Sequence, residues 1–253
     1  SVNGKLRSYT GTPVTGAADG VFYSSQADNS TNSTTIITST SGYLKFVGNS
    51  RAITTSNLVW GGGTTGLAVE FALNAGQTGS LATTFKAKEF IFSSGTITTT
   101  QRIAPDAGSS NSGILIIKNG AALISSQTGT ATGGQVISRT GTGKCLQVTI
   151  EAGGTLELTG ADPRMDVTSF VNNGNVIYNR NGVQNLLQRS GNDLSVATQY
   201  TNYFNLTIRG SNTKTIPASY ALAIAAGGSF TENGTATCIL AAGVGSSLSY
   251  GAG

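Results

Sequence analysis

The residues best suited to chemistry in this 253-residue chain lie in Asp162-Pro163-Arg164-Met165-Asp166. Two carboxylates with a guanidinium between them can hold a Ca²⁺ ion, or divide acid and base roles across a sugar linkage. The same stretch also reads as a solvated corner, because Asp-Pro is ordinary turn chemistry and no third acid lies nearby. Downstream, Tyr178, Tyr200 and Tyr203, with Phe204, could offer flat faces to a sugar. Strand alternation favours the other placement for some of these rings, stacked in a core. The amide-rich residues 172–185 could bind a glycan; Asn at repeated corners more often stacks on its own kind in hydrogen-bonded ladders. Asp162, Arg164, Asp166, Tyr178, Tyr200 and Tyr203 are therefore the candidate carbohydrate or acidic surface. No residue is assigned as catalytic, metal-ligating or cofactor-binding.

What the chain lacks narrows the chemistry further. It has no histidine, which removes Ser-His-Asp and Cys-His catalysis and His-ligated zinc. Cys145 and Cys238 make no metal or redox motif. The 15 basic and 11 acidic residues give a net charge of +4 without a Lys/Arg cluster, so nucleic acid is not expected as a partner. No apolar run is long enough to span a bilayer. Ser1 opens directly in polar sequence, which reads as a mature or excised segment.

The elements that must position these residues are strands. Charged residues make up only 10% of the chain, while 38% is apolar and 35 residues are glycine. Hydroxyls and amides must then solvate the surface around an Ile/Leu/Val core. Short alternating runs such as residues 43–47, 67–71, 88–92 and 175–178 are bounded by Gly, Asn and Ser. Residues 114–124, 148–158 and 222–231 repeat one pattern of strand, Gly-centred bend and second strand. Residues 239–248 are a looser fourth copy. Gly141-Thr-Gly-Lys-Cys145 and Gly234-Thr-Ala-Thr-Cys238 match as well.

Such a unit suits a solenoid whose coils stack at about 4.8 Å. Irregular spacing of the copies means coils of unequal length, with surface loops at residues 24–33, 106–113 and 128–134. Residues 1–113 form an N-terminal β-rich region, read as the first coils rather than a separate cap; residues 114–253 hold the plain repeats. Ile114, Ile116, Val148, Ile150, Leu156, Leu158, Val176, Leu206, Ile208, Leu222 and Ile224 are expected to point inward. The threonines of residues 34–40 and 96–100 do not recur at one period, which disfavours an ice-binding grid and leaves them as exposed strand positions. Trp60 and its three following glycines read as a tight turn. The sequons at Asn29, Asn32, Asn205 and Asn233 are few enough to arise by chance.

Residues 170–188 (FVNNGNVIYNRNGVQNLLQ) followed by 203–216 (YFNLTIRGSNTKTI) resemble a repeat of large secreted surface proteins of the Bacteroidetes. Asn172, Gly174, Val176, Tyr178, Asn179 and Gln184 fit its first part. Tyr203, Asn205, Leu206, Ile208, Gly210, Thr213, Lys214 and Thr215 fit its second. Arg180-Asn181 and the long connection 189–200 depart from it. The resemblance implies a right-handed parallel β-helix, secretion and an adhesin-like or matrix role, with no catalytic residues. Similar β-helix folds also serve pectin lyases and hydrolases, which place acids, Arg and Lys on one face.

The expected function is thus a non-enzymatic structural or adhesive segment of a secreted bacterial surface or extracellular fibre protein. A polysaccharide-binding module, or a lyase or hydrolase on the same fold, is the alternative. Expected partners are glycans or a surface, and further repeats or another copy joined head to tail. The two cysteines are expected to stay unbonded to each other, as small buried hydrophobes at matching repeat positions.

Overall fold

The computed structural model describes residues 14–16, 21–24, 37–39, 43–48, 51–53, 68–82, 85–106, 112–129, 135–138, 145–189, 200–235 and 237–251. Before residue 68 it describes backbone only, apart from the side chains of Lys45 and Phe46. Trp60 and the sequons at Asn29 and Asn32 lie outside the described residues. Among the described residues there is no α-helix, and every strand pairing is parallel. Parallel pairing cannot be made by hairpins; the chain must travel away and return.

The returns are orderly. Strands numbered in chain order fall into three rows. Row one stacks β2 (Val21–Ser24), β4 (Tyr43–Gly48), β6 (Ala68–Leu73), the first half of β9 (Glu89–Thr99), β11 (Ile114–Ile117), β14 (Cys145–Ile150) and the second part of β16 (Arg164–Asn172). Row two stacks β5 (Arg51–Ile53), β7 (Thr78–Leu81), the rest of β9, β12 (Ala121–Ser125), β15 (Thr155–Leu158), β17 (Asn175–Asn181), β20 (Asn202–Ser211) and the end of β22 (Ala221–Glu232). Row three stacks β8 (Phe85–Ala87), β10 (Ile103–Pro105), β13 (Ile137–Ser138), the start of β16 and β19 (Gln188–Arg189).

A three-stranded sheet of β18 (Gln184–Asn185), β21 (Thr213–Ile216) and β23 (Ile239–Ala242) follows row two in the C-terminal part. β24 (Ser247–Tyr250) closes the series on the first half of β22. β1 (Val14–Gly16) and β3 (Ile37–Ser39) pair apart from the rest.

From β8 to β17 the chain visits row three, row one and row two in that order, repeatedly. Each circuit is called a lap, and the C-terminal direction is called up. All three rows cross position 113, since Glu89 pairs with Ile114, Thr96 with Ala122 and Ile103 with Ile137. Lap length varies: Thr96 stands 18 residues after its partner Thr78, whereas Thr155 stands 33 after Ala122.

Stacking aligns inward side chains into columns. Phe46, Phe71 and Phe92 share a row-one column, with ring centroids 5.2 and 5.3 Å apart. In row two, Ile97, Leu123, Leu156, Val176 and Leu206 succeed one another, all buried. Val148, Ile150, Leu158, Ile208, Leu222 and Ile224 are buried as expected.

Ile114 and Ile116 are not in the core. Their neighbours Leu115 and Ile117 are. The run Ile114-Leu-Ile-Ile117 has no polar residue to mark its phase; the phase comes from Gly120, which sits in register with Gly153. The outer pair faces Gln147 and Thr149 of the lap above. The fourth copy of the repeat also falls elsewhere. Residues 239–248 turn from the three-stranded sheet into β24, whereas 222–231 turn within β22 into row two.

Glycine at the corners is dictated by close approach. A Cβ on Gly174 would strike the Glu151 carbonyl oxygen of the lap below. Gly210 has φ 79° and lies against the Arg180 carbonyl, so both its conformation and its space exclude a side chain.

Candidate functional site

Asp162, Arg164 and Asp166 lie at row three. Met165 between the last two is buried, so Arg164 and Asp166 share the outer side of β16. Arg164 donates through Nε and Nη2 to Asp162 Oδ2, each at 2.9 Å. Asp162 Oδ1 accepts from Gln188 Nε2 at 3.0 Å and from Asn185 Nδ2 at 3.3 Å. Its own N–H donates to Thr128 Oγ1 of the lap below. Asp162 is therefore a tether between neighbouring segments, with both carboxylate oxygens engaged.

Asp166 is different. It pairs in register with buried Ser138, and burial pushes its carboxyl up to about 6. Such a group exchanges a proton near neutrality, which is what a general acid or base requires. Row three also carries, on lower laps, residues that the sequence did not single out. Arg102 Nη1 reaches Ser138 Oγ at 3.5 Å, and Lys86 Nζ pairs with buried Asp106 at 3.3 Å. Asp106, expected at the start of a surface loop, is instead buried and ion-paired. These residues lie on or beside β8, β10 and β13, and nothing in their sequence spacing announces that the laps align them.

Cys145 stands beside this group. Its thiol is buried and donates to the Pro105 carbonyl at 3.5 Å. Burial, together with the negative charge of Asp166 and Asp106, holds its pKa far above the usual thiol range. It is a protonated packing residue, not a nucleophile. Cys238 is also free and buried. The two positions do not correspond, however. Cys145 opens a row-one strand in register with Val167, whereas Cys238 precedes β23. Among the described residues no group of three or more Cys, Asp or Glu is arranged to hold a metal.

The three tyrosines are inside. Tyr178 and Tyr203 are fully buried and Tyr200 nearly so, so none offers a ring face to a sugar. Their hydroxyls are satisfied internally. Tyr178 Oη and Tyr203 Oη lie 2.8 Å apart, and Tyr178 Oη also accepts from Leu187 N. Tyr200 Oη accepts from Val167 N, and its ring meets Phe170 edge-on. Burial raises the pKa of both Tyr178 and Tyr203.

The amide-rich segment works along the stack. Asn175 Nδ2 donates to the Gly154 carbonyl and Thr155 Oγ1; Asn205 Nδ2 donates to Asn175 Oδ1; Ser229 Oγ donates to Asn205 Oδ1. The result is one ladder over four laps. Asn179 Nδ2 bonds Glu157 Oε1 in the same way. The sequon at Asn205 is thus occupied by its own ladder. The outer threonines Thr96 and Thr98 meet Ala122 and Ile124 on the next lap, so no threonine grid extends upward.

Two polar side chains plug the interior. Gln184 Nε2 donates to the carbonyls of Leu158 and Gly160. One lap higher in the same register, Lys214 Nζ donates to the carbonyls of Arg180, Gly182 and Ser211. Lys214 is 0% exposed, and burial lowers its pKa. Comparison of the chain with protein-family models, curated proteins and solved structures returned no match.

Proposed function

We propose that this chain is a segment of a right-handed parallel β-helix, serving a structural or adhesive role in a secreted bacterial surface or extracellular fibre protein. The handedness follows from the rule that crossovers between parallel strands of one sheet are almost always right-handed. The role rests on one observation above others. The ladder Thr155, Asn175, Asn205 and Ser229 engages amides and hydroxyls in lap-to-lap bonds. The residues that carry the resemblance to Bacteroidetes surface repeats do the same work. Tyr178, Gln184, Tyr203, Asn205 and Lys214 each bond a neighbouring lap or corner.

A second reading, a polysaccharide-cleaving or polysaccharide-binding site, is favoured by Asp166 alone, with its raised carboxyl in register with Ser138. Incubation with acidic and neutral polysaccharides, following reducing ends and unsaturated uronate absorbance, separates the two. The expected result is intact polymer, with no retention on immobilised polysaccharide that is lost in Asp166→Asn. Depolymerisation that disappears in Asp166→Asn would replace the structural reading with the enzymatic one.

A further inference from the structure

The chain has one Asp-Pro step, Asp162-Pro163. A peptide bond of this kind can be cut by its own side chain. A carboxylate oxygen of the aspartate bonds to the aspartate's main-chain carbonyl carbon, and the bond from that carbon to the proline nitrogen breaks. Proline carries no N–H, so its ring nitrogen departs as a secondary amine with a proton taken from acidic solvent. Water then opens the cyclic anhydride and leaves aspartate as a new C-terminus. The net change is hydrolysis of one peptide bond, and its balance needs only water.

The structure fixes both partners of this reaction. The main-chain carbonyl of Asp162 accepts from Gly129 N on the lap below at 3.2 Å. A donor there stabilises negative charge developing on that oxygen and favours attack. The flanking peptides are held by the lap above. Asn185 N donates to the Ala161 carbonyl at 2.8 Å, and Gln188 N to the Pro163 carbonyl at 3.1 Å. Pro163 itself is buried. The bond is therefore rigid and polarised.

The nucleophile is withheld. Arg164 takes Asp162 Oδ2 with Nε and Nη2, while Gln188 Nε2 and Asn185 Nδ2 take Oδ1. Paired, charge-assisted bonds of this kind are among the strongest a carboxylate makes. Attack requires one oxygen to abandon its donors and turn back over the main chain. An intramolecular reaction loses orders of magnitude in rate when its groups are held out of line. Among the described residues, Arg164 is the one charged group in contact with Asp162. The lap below presents a hydroxyl and a peptide N–H, and the lap above two amides.

We propose that Asp162–Pro163 is a self-cleavage point opened by acid, and that Arg164, Asn185 and Gln188 are positioning residues that hold it shut. Cutting it does not separate the pieces. β14 and β15 lie before the cut and pair with β16 and β17 after it. One covalent chain becomes a stacked pair joined by lap-to-lap bonds. The inference rests on the geometry of this corner, and neither the adhesive nor the polysaccharide reading bears on it.

Incubation of the purified chain at about pH 4, near the ordinary aspartate pKa, tests it. Folded and urea-unfolded samples are compared, with intact mass under denaturing conditions to locate cuts and circular dichroism to check folding. The unfolded chain should be cut between Asp162 and Pro163, and the folded chain on the order of 100-fold more slowly. Arg164→Met should speed the cut in the folded chain about ten-fold. Gln188→Ala, which removes one donor from Oδ1, should speed it less, and Asp162→Asn should abolish it. Size-exclusion chromatography of the cut, folded chain should give one particle of the uncut size. Equal rates in folded and unfolded wild type would overturn the proposal, and that comparison needs no variant to fold. So would folded Arg164→Met and Gln188→Ala chains cut no faster than wild type, or a first cut elsewhere. Pieces that part under native conditions would overturn the stacked pair.

Discussion

The middle laps and the last lap are built from the same kind of sequence, yet they differ in burial. Leu206 and Phe230 occupy one column, one lap apart. Leu206 is fully enclosed, whereas Phe230, the larger and more apolar ring, is only partly so. A lap cannot bury its own inner face; the lap above completes it. Stability in such an array is then a sum of terms for each lap and each lap–lap interface, and an end lap lacks one interface.

That contrast can be broken by substitution. Leu206→Ala should cost about 3 kcal/mol, and Phe230→Ala only about 1 kcal/mol despite removing more atoms. Midpoints of denaturant unfolding measure both; equal losses would mean that the end lap is as enclosed as the middle. Next in size is Lys214→Met, which keeps the volume but removes the donor to three carbonyls. Its expected cost is about 2 kcal/mol. Leu240→Ala, one lap higher in the same register, should fall below that.

The smallest effect sharpens the contrast through pH. Asp166, in the middle laps, has a carboxyl raised by burial to about 6 from an ordinary value of 3.8. The folded state therefore binds its proton more tightly than the unfolded state does. Stability should increase as pH falls from about 6 towards 4, by ~1 kcal/mol after screening by solvent. Asp166→Asn should remove that increment. Glu232→Gln, in the exposed last lap, should leave it in place.

Much of the architecture could be read from the chain. Alternation in residues 148–158 and 205–208 shows both the strands and their inner faces, and Gly174 and Gly210 mark corners where only glycine fits. Legibility failed where alternation carried no phase. Ile114-Leu-Ile-Ile117 is apolar throughout, so only the register of Gly120 with Gly153 decides which pair turns inward. It failed again where polarity misleads. Lys214 reads as a surface residue, and its burial depends on three carbonyls that the fold places around its amine.

The candidate site was legible only within residues 162–166. Asp162, Arg164 and Asp166 share one side by simple parity. Lys86, Arg102, Asp106 and Ser138 join them through register between strands far apart in sequence. The tyrosines show the limit of parity itself: Tyr178 shares the inner side with Val176, whereas Tyr203 is buried out of phase with Leu206 and Ile208 because the register shifts between Tyr203 and Asn205.

The unequal laps carry a genetic consequence. Partners in row two stand 18 residues apart at one step and 33 at another, without loss of pairing. The fold keeps count of circuits, not of residues. Tandem duplication of one whole circuit, or its deletion, would leave every remaining pair with an equivalent neighbour. Insertions of arbitrary length at a corner would be silent in the same way. Proteins of this construction can therefore change length by unequal recombination while their cross-section stays constant, and related chains would be expected to differ more in lap number and lap length than in the residues that line the columns.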